Sequence, residues 1–211
     1  CGIIQSTRSE TLANIVKVRQ YKKIVKSKSR ILNNLDEATE FYKQALEDGF
    51  EGLIIKDPDG LYVWGRDKSW TKWKPVFDFD LMVTGVYEGK EGTKNEGRMG
   101  GFECEGTDEN GNFIITRVGS LQVGVKGGWL DGYIQELAKS AGVDLATAGR
   151  DNDGNPSKMS NDEFFRTYVF QHPNEFIGRT AQLEAQELSL AEGSETYSLR
   201  FPVLVMFRED R

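Results

Sequence analysis

The apolar positions of NNLDEATEFYKQALEDGF (33–50) recur at helical spacing, with Ala38, Phe41, Ala45 and Leu46 in one stripe. Asn34 stands where an N-cap belongs, Glu37 follows three residues on, and Gly49 closes the segment. The pattern predicts a capped helix. Past this point the period shortens to that of strands. Strands are predicted at 52–56, 61–64, 70–74, 80–89, 100–106, 112–118, 178–190 and 201–207, with helices at 129–141 and 161–170. Asn110-Gly111, between two of these strands, is a hairpin signal. Pro75 ends the first strand set, so domains are expected at 1–76 and 77–211, the second a mostly antiparallel β unit with inserted helices. Residues 143–160 read as an irregular insertion. Asp151, Asp153 and Asn155 imitate the start of a calcium loop, but Pro156 takes the turn-glycine position and no Glu follows at the twelfth, so calcium is not expected.

Composition adds limits. A chain of 211 residues can hold one large domain or two small ones, and 38% hydrophobic with 28% charged residues describes a soluble globular protein. No apolar stretch approaches the ~20 residues of a membrane span. The first residues, CGIIQSTRSE, lack an initiator Met and have neither the basic start nor the apolar run of a secretory signal. Cys1 and Cys104 are the only cysteines, which speaks against a disulfide framework and for a reducing compartment; a cytoplasmic location is expected. A net charge of −6 alone disfavours nucleic acid as a partner. Residues 11–35, however, carry Lys17, Arg19, Lys22, Lys23, Lys26, Lys28 and Arg30 with no acid. Such a run is either a solvated face or a phosphate-tracking surface, and binding responds to local potential rather than to net charge. Strands of the length predicted for the second domain suit a small barrel, and the OB-fold is a barrel that binds nucleic acid.

The candidate chemistry lies in three segments. EGLIIKDPDG (51–60) puts Glu51 and Lys56 at the two ends of an apolar strand, where charge costs little only if both tips reach water. WTKWKP (70–75) places Lys72 and Lys74 two apart, hence on one strand face, with Trp70 on that face and Trp73 on the other. Two neighbouring ammonium groups repel unless an anion lies between or above them. The terminal RFPVLVMFREDR delivers Arg208, Asp210 and Arg211 into a charged tail. Singly, each has an ordinary reading: a core strand with solvated ends, an outward cationic face, a solvated terminus.

In order, the three segments resemble motifs IV, V and VI of the nucleotidyltransferase superfamily that contains ATP-dependent DNA ligases and mRNA capping enzymes. The resemblance is strongest to the small ATP-dependent DNA ligases of short-tailed bacteriophages, and EGTKNEGRMGGFE (91–103) is similar to a segment of the ligase OB domain. It implies an α+β fold class: the C-terminal part of an adenylation domain, then an OB-fold β-barrel with inserted helices. It further implies ATP and Mg²⁺ as cofactors, with Glu51 helping to hold the metal and Lys56 at the edge of the nucleotide pocket. Lys72 and Lys74 would contact the α-phosphate, stabilising charge that develops on its oxygens. Arg208, Asp210 and Arg211 would orient the pyrophosphate during lysine adenylation. Arg211 stands where many members have lysine, and Met206 where many have arginine. DNA-backbone contacts are expected from Lys17, Arg19, Lys22, Lys23, Lys26, Lys94 and Arg98, with Lys90 and Lys126 as further candidates.

Strict strand alternation would put Glu51 and Lys56 on opposite faces, so a twist or a strand end must bring one tip round. Family members attach AMP to a lysine in a K-x-D-G segment upstream of motif IV, and this sequence has none. The expectation is therefore the C-terminal portion of a ligase that seals nicked double-stranded DNA, inactive alone, with the missing N-terminal part as partner, no membrane, and a monomer when complete. The alternatives are a fragment of an RNA ligase or a capping guanylyltransferase, or a non-catalytic OB module that binds nucleic acid.

Overall fold

A computed structural model of the chain describes residues 2–19, 26–190 and 192–208, the side chains of residues 18 and 19 excepted. The chain divides into two compact units, Cys1–Pro75 and Val76–Arg211. In the first, helices α1 (Gln5–Arg19) and α2 (Leu35–Glu47) accompany an antiparallel pair, β1 (Leu53–Lys56) and β2 (Trp70–Trp73). α2 starts as its sequence predicts: the Asn34 side chain accepts a hydrogen bond from the Glu37 N–H at 2.8 Å. The Glu37 carboxylate accepts in turn from the Asn33 N–H at 3.0 Å, one residue earlier than in a reciprocal capping box, and that bond lowers its pKa. Gly49 leaves the helix at φ +81°. The acid-free run is helical as far as Arg19, and residues 26–30 have no regular structure.

One predicted strand is missing. Of residues 61–64 only Leu61 pairs, in a single bridge to Ile4. The preceding turn is held by Asp57, whose carboxylate accepts from the Asp59 N–H at 2.9 Å and whose carbonyl accepts from the Gly60 N–H at 3.1 Å. Apolar and aromatic residues make a segment fit for a strand, but a strand also needs a neighbour. Among the described residues, no strand pairs with 62–64.

Along the second unit run β3 (Phe77–Glu88), β4 (Met99–Thr107), β5 (Phe113–Val118), β6 (Ser120–Leu121), α3 (Trp129–Ser140), β7 (Gly149–Arg150), β8 (Pro156–Ser157), α4 (Asn161–Gln171), β9 (Thr180–Ala185), β10 (Glu187–Leu190), β11 (Tyr197–Arg200) and β12 (Val203–Phe207). All but β7 and β8 form one curled sheet, in the order β10-β11-β5-β4-β3-β9-β12-β6. Its curl comes from register shifts between Val83 and Gly85, between Tyr87 and Glu88, and between Leu204 and Met206, because a bulge bends and twists the strand that carries it. β5 and β9 alternate buried and more exposed positions, as half-buried strands must. The inner face closes on Phe102, Phe165, Phe176 and Phe207, with Leu130 and Ile134 from α3 and Phe164 and Val169 from α4. This is the OB-type barrel with inserted helices, in an α+β chain.

A buried cation ties the helices to the sheet. Arg166 of α4 donates to the carbonyls of Met99 at 3.2 Å, Gly100 at 3.2 Å and Gly119 at 2.9 Å, and pairs with Asp162 at 2.9 Å. The predicted strand 178–190 is two strands, broken at Gln186, whose N–H turns to the Arg200 carbonyl at 3.2 Å. β12 begins at Val203 rather than 201, since Phe201 sits at φ +54° and Pro202 follows. The insertion 143–160 contains the β7–β8 hairpin. Asp151 closes it by accepting from the N–H groups of Asp153 at 3.0 Å and Asn155 at 2.8 Å, which is the work those calcium-like residues do here. No helix among the described residues is long and apolar enough to cross a membrane.

Candidate active site

The β1–β2 register sets Ile54 opposite Lys72 and Lys56 opposite Trp70, so these four side chains share one face. The Lys56 ammonium lies 3.9 Å from the Trp70 ring centroid, a cation–π contact that steadies the lysine at the strand end. Trp73 points the other way and stacks on Tyr42 of α2, with centroids 4.9 Å apart and planes 7° from parallel. One face of the ribbon is thus anchored on a helix. The other stays open, with Ile54 at 54% and Trp70 at 42% exposure.

Glu51 joins the open face through Gly52. Gly52 adopts φ +141°, and a Cβ there would stand 2.2 Å from the Trp73 carbonyl oxygen, so only glycine fits. That reversal resolves the conflict between strict alternation and a shared site. The Glu51 carboxylate reaches the Lys74 ammonium at 2.5 Å. The anion that the paired lysines call for is, for Lys74, this carboxylate. Lys72 is exposed and has no ion-pair partner among the described residues. Glu51 is 83% exposed and Lys74 35%, so water screens their pair and it exchanges readily.

In the second unit Arg208 follows β12 directly. Its N–H donates to the Thr180 carbonyl at 2.8 Å, which fixes the backbone to β9. Its Nε donates to Asp80 Oδ1 of β3 at 3.0 Å. Asp80 lies in a groove with Phe77, Asp78, Gln186 and Glu187. Sequence reading missed Asp80 and Gly52. Alternation in DFDLMV puts Asp78 and Asp80 on the outer face opposite Phe79 and Leu81, but nothing local says that Arg208, 128 positions on, lands beside one of them.

The candidate DNA contacts divide. Lys17, Lys26, Lys90 and Lys126 are exposed. Lys94 and Arg98, in the loop between β3 and β4, already hold acids of the first turn of α4: Lys94 pairs with Asp162 at 3.3 Å and Arg98 with Glu163 at 2.7 Å. Lys28 pairs with Asp48 at 2.7 Å. Lys22, Lys23, Asp210, Arg211 and the side chain of Arg19 lie outside the described residues. Among the described residues no three His, Cys, Asp or Glu side chains gather as a metal cage.

Residues 5–74 match the protein family described as ATP dependent DNA ligase domain. The DNA ligase of Enterobacteria phage T4 is 28% identical over 192 residues, which is 90% of this chain and 32% of that ligase. The DNA ligase of Enterobacteria phage T3 is 44% identical over 69 residues, 33% of this chain and 20% of that one. The solved structure named Pmar-Lig_PreS3 shares the fold with a TM-score of 0.70 at 24% identity, covering 98% of this chain and 40% of its own. The chain therefore spans about a third of the length of the curated T4 relative that it matches nearly end to end.

Proposed function

We propose, from the match of residues 5–74 to the ATP dependent DNA ligase domain and the likeness of the chain to phage DNA ligases, that this chain is the C-terminal portion of a ligase sealing nicks in duplex DNA. The observation that carries the reading is the open face of the β1–β2 ribbon. There Gly52 turns Glu51 toward Lys74 while the register keeps Lys56 and Lys72 on one side. Three cations and a carboxylate at the edge of a steady two-stranded scaffold suit a nucleotide phosphate with a bound metal. Mg²⁺ commonly takes one or two carboxylates and completes its shell with water and substrate phosphates, so Glu51 alone is a sufficient donor from this part of the enzyme. Mg²⁺, when bound, would draw charge from the phosphate oxygens.

The residues then take separate duties. Glu51 gives its carboxylate to the metal and Lys74 its ammonium to the α-phosphate, in exchange for their mutual pair. Lys72 opposes the charge that grows on the α-phosphate oxygens, and preorganised charge of this kind is the main aid to phosphoryl and nucleotidyl transfer. Lys56, steadied by Trp70, borders the nucleotide. Arg208 serves the departing pyrophosphate when the enzyme takes AMP from ATP. The attacking lysine belongs to an upstream part carrying K-x-D-G.

The test joins the chain to the upstream half of an ATP-dependent DNA ligase and separates two assays. Arg208→Ala is expected to lose self-adenylation yet seal a nick that is already adenylated. Lys72→Ala is expected to fail in both, each by ~10²–10³ in rate. Equal failure of a folded Arg208→Ala on the pre-adenylated nick removes the pyrophosphate role. Tight nick binding with no sealing by the joined wild type would instead leave only a DNA-binding module.

A further inference from the structure

The manner in which Arg208 is held goes further than its assignment. Other surface arginines of this unit engage their partners through at least one terminal nitrogen of the guanidinium group. Arg117 gives Nε and Nη2 to Glu103 at 3.0 and 2.6 Å, Arg98 gives Nη2 to Glu163 at 2.7 Å, and Arg200 gives Nη1 to Glu187 at 3.3 Å. Arg208 differs. Its bond to Asp80 runs through Nε alone, at 3.0 Å, and neither terminal nitrogen has a hydrogen-bond partner among the described residues. A guanidinium gripped at Nε still offers its two terminal nitrogens, with four N–H groups between them, and it has lost much of its freedom to rotate.

We propose that Asp80 is a positioning residue for the adenylation step: it holds Arg208 by Nε so that the free end of the guanidinium is presented to the pyrophosphate portion of ATP. The inference rests on the pyrophosphate role of Arg208 proposed above. Both ends of the device are fixed by the barrel. Asp80 sits in the first third of β3, in the ladder with Gln182 of β9, and the Arg208 backbone is tied to Thr180 of the same β9. The two side chains meet across one strand. At 50% and 44% side-chain exposure the pair contributes little to stability, so its use is direction rather than adhesion. Asp78, the neighbouring acid on this face, is taken by the Gln182 side chain at 3.2 Å and does not compete for the arginine.

The experiment uses Asp80→Ala, Asp80→Asn, Arg208→Ala, Arg208→Lys and the Asp80→Ala/Arg208→Ala pair in the joined enzyme. Self-adenylation with labelled ATP and sealing of a pre-adenylated nick are measured, with thermal melts to check folding. Asp80→Ala should slow self-adenylation about tenfold, the scale on which orienting partners act, and leave sealing unchanged. Asp80→Asn should stay within about twofold of wild type, because its amide oxygen still accepts the Nε–H. The double variant should be no slower than Arg208→Ala, and Arg208→Lys should be nearly as slow as Arg208→Ala, since one ammonium cannot both hold Asp80 and present a fork. In the chain itself, the Arg208 Nε–H resonance should be protected from exchange in wild type and in Asp80→Asn, and unprotected in Asp80→Ala. Unchanged adenylation in a folded Asp80→Ala overturns the proposal. Faster adenylation also overturns it, for Asp80 would then restrain the arginine instead of aiming it. An Arg208→Lys variant as fast as wild type does the same. If Arg208→Ala itself adenylates normally, the fault lies in the role given to Arg208, and the two failures are told apart.

Discussion

Single residues carry much of the candidate site, and Gly52 is the clearest. Its φ of +141° belongs to a region that is essentially glycine-only, and the Trp73 carbonyl blocks any side chain. Gly52→Ala must either adopt a strained conformation or turn Glu51 away from Lys74. It is expected to cost ~1–3 kcal/mol in urea unfolding of the chain. An unchanged midpoint would show that the ribbon tolerates the side chain. Cys104 makes a different prediction. It is buried in the barrel core, and burial pushes its thiol from 9.0 up to about 12. Between these values the unfolded chain releases the Cys104 proton while the folded chain keeps it. This contribution to stability is therefore whole below pH 9.0 and is lost as pH rises toward about 12. Comparing wild type with Cys104→Val in urea at pH 8 and pH 10.5, the wild type should lose more stability across the interval; equal losses would mean that the thiol titrates normally in the fold.

At the scale of elements, patterns with partners close in sequence were readable and patterns needing distant partners were not. Asn34, Glu37 and Gly49 specify α2 because a helix end is completed within a few residues. Residues 61–64 have strand-like side chains and form no strand, because pairing is decided by what lies alongside. The alternation at Ala181, Leu183 and Ala185 shifts phase before Leu188 and Leu190, and the strand breaks there at Gln186, whose N–H turns to the Arg200 carbonyl. The acid-free run spans helix and irregular chain, so its charges, if they track DNA, do so without one regular element. Neutralising Lys17, Lys26 and Arg30 together should weaken nicked-duplex binding for all sequences alike. For every DNA phosphate that is no longer neutralised, the log–log salt dependence should flatten by roughly 0.9. An unaltered slope would return the run to an ordinary solvated face. Lys94 and Arg98 must first release Asp162 and Glu163 before reaching a phosphate, so they are weaker candidates than their charge suggested.

For the whole molecule, the absence of K-x-D-G from these residues has a direct consequence. Incubated with labelled ATP and Mg²⁺, this polypeptide should form no covalent protein–AMP, and a stoichiometric acid-labile adduct would overturn the assignment of the nucleophile to an upstream part. The change from helical to strand periodicity near residue 50 was legible in the sequence, because residue type and spacing are enough to state it. The tertiary structure alone decided which charges meet. It paired Lys74 with Glu51 through the reversal at Gly52, laid Lys56 on Trp70, engaged Lys94 and Arg98 with α4, and brought Asp80 to Arg208 across β9. The reason is physical. Hydrophobic period reports which face of an element is buried, whereas the partner of an outward-facing charge depends on sheet order and register, which are set by pairings between residues far apart in the chain.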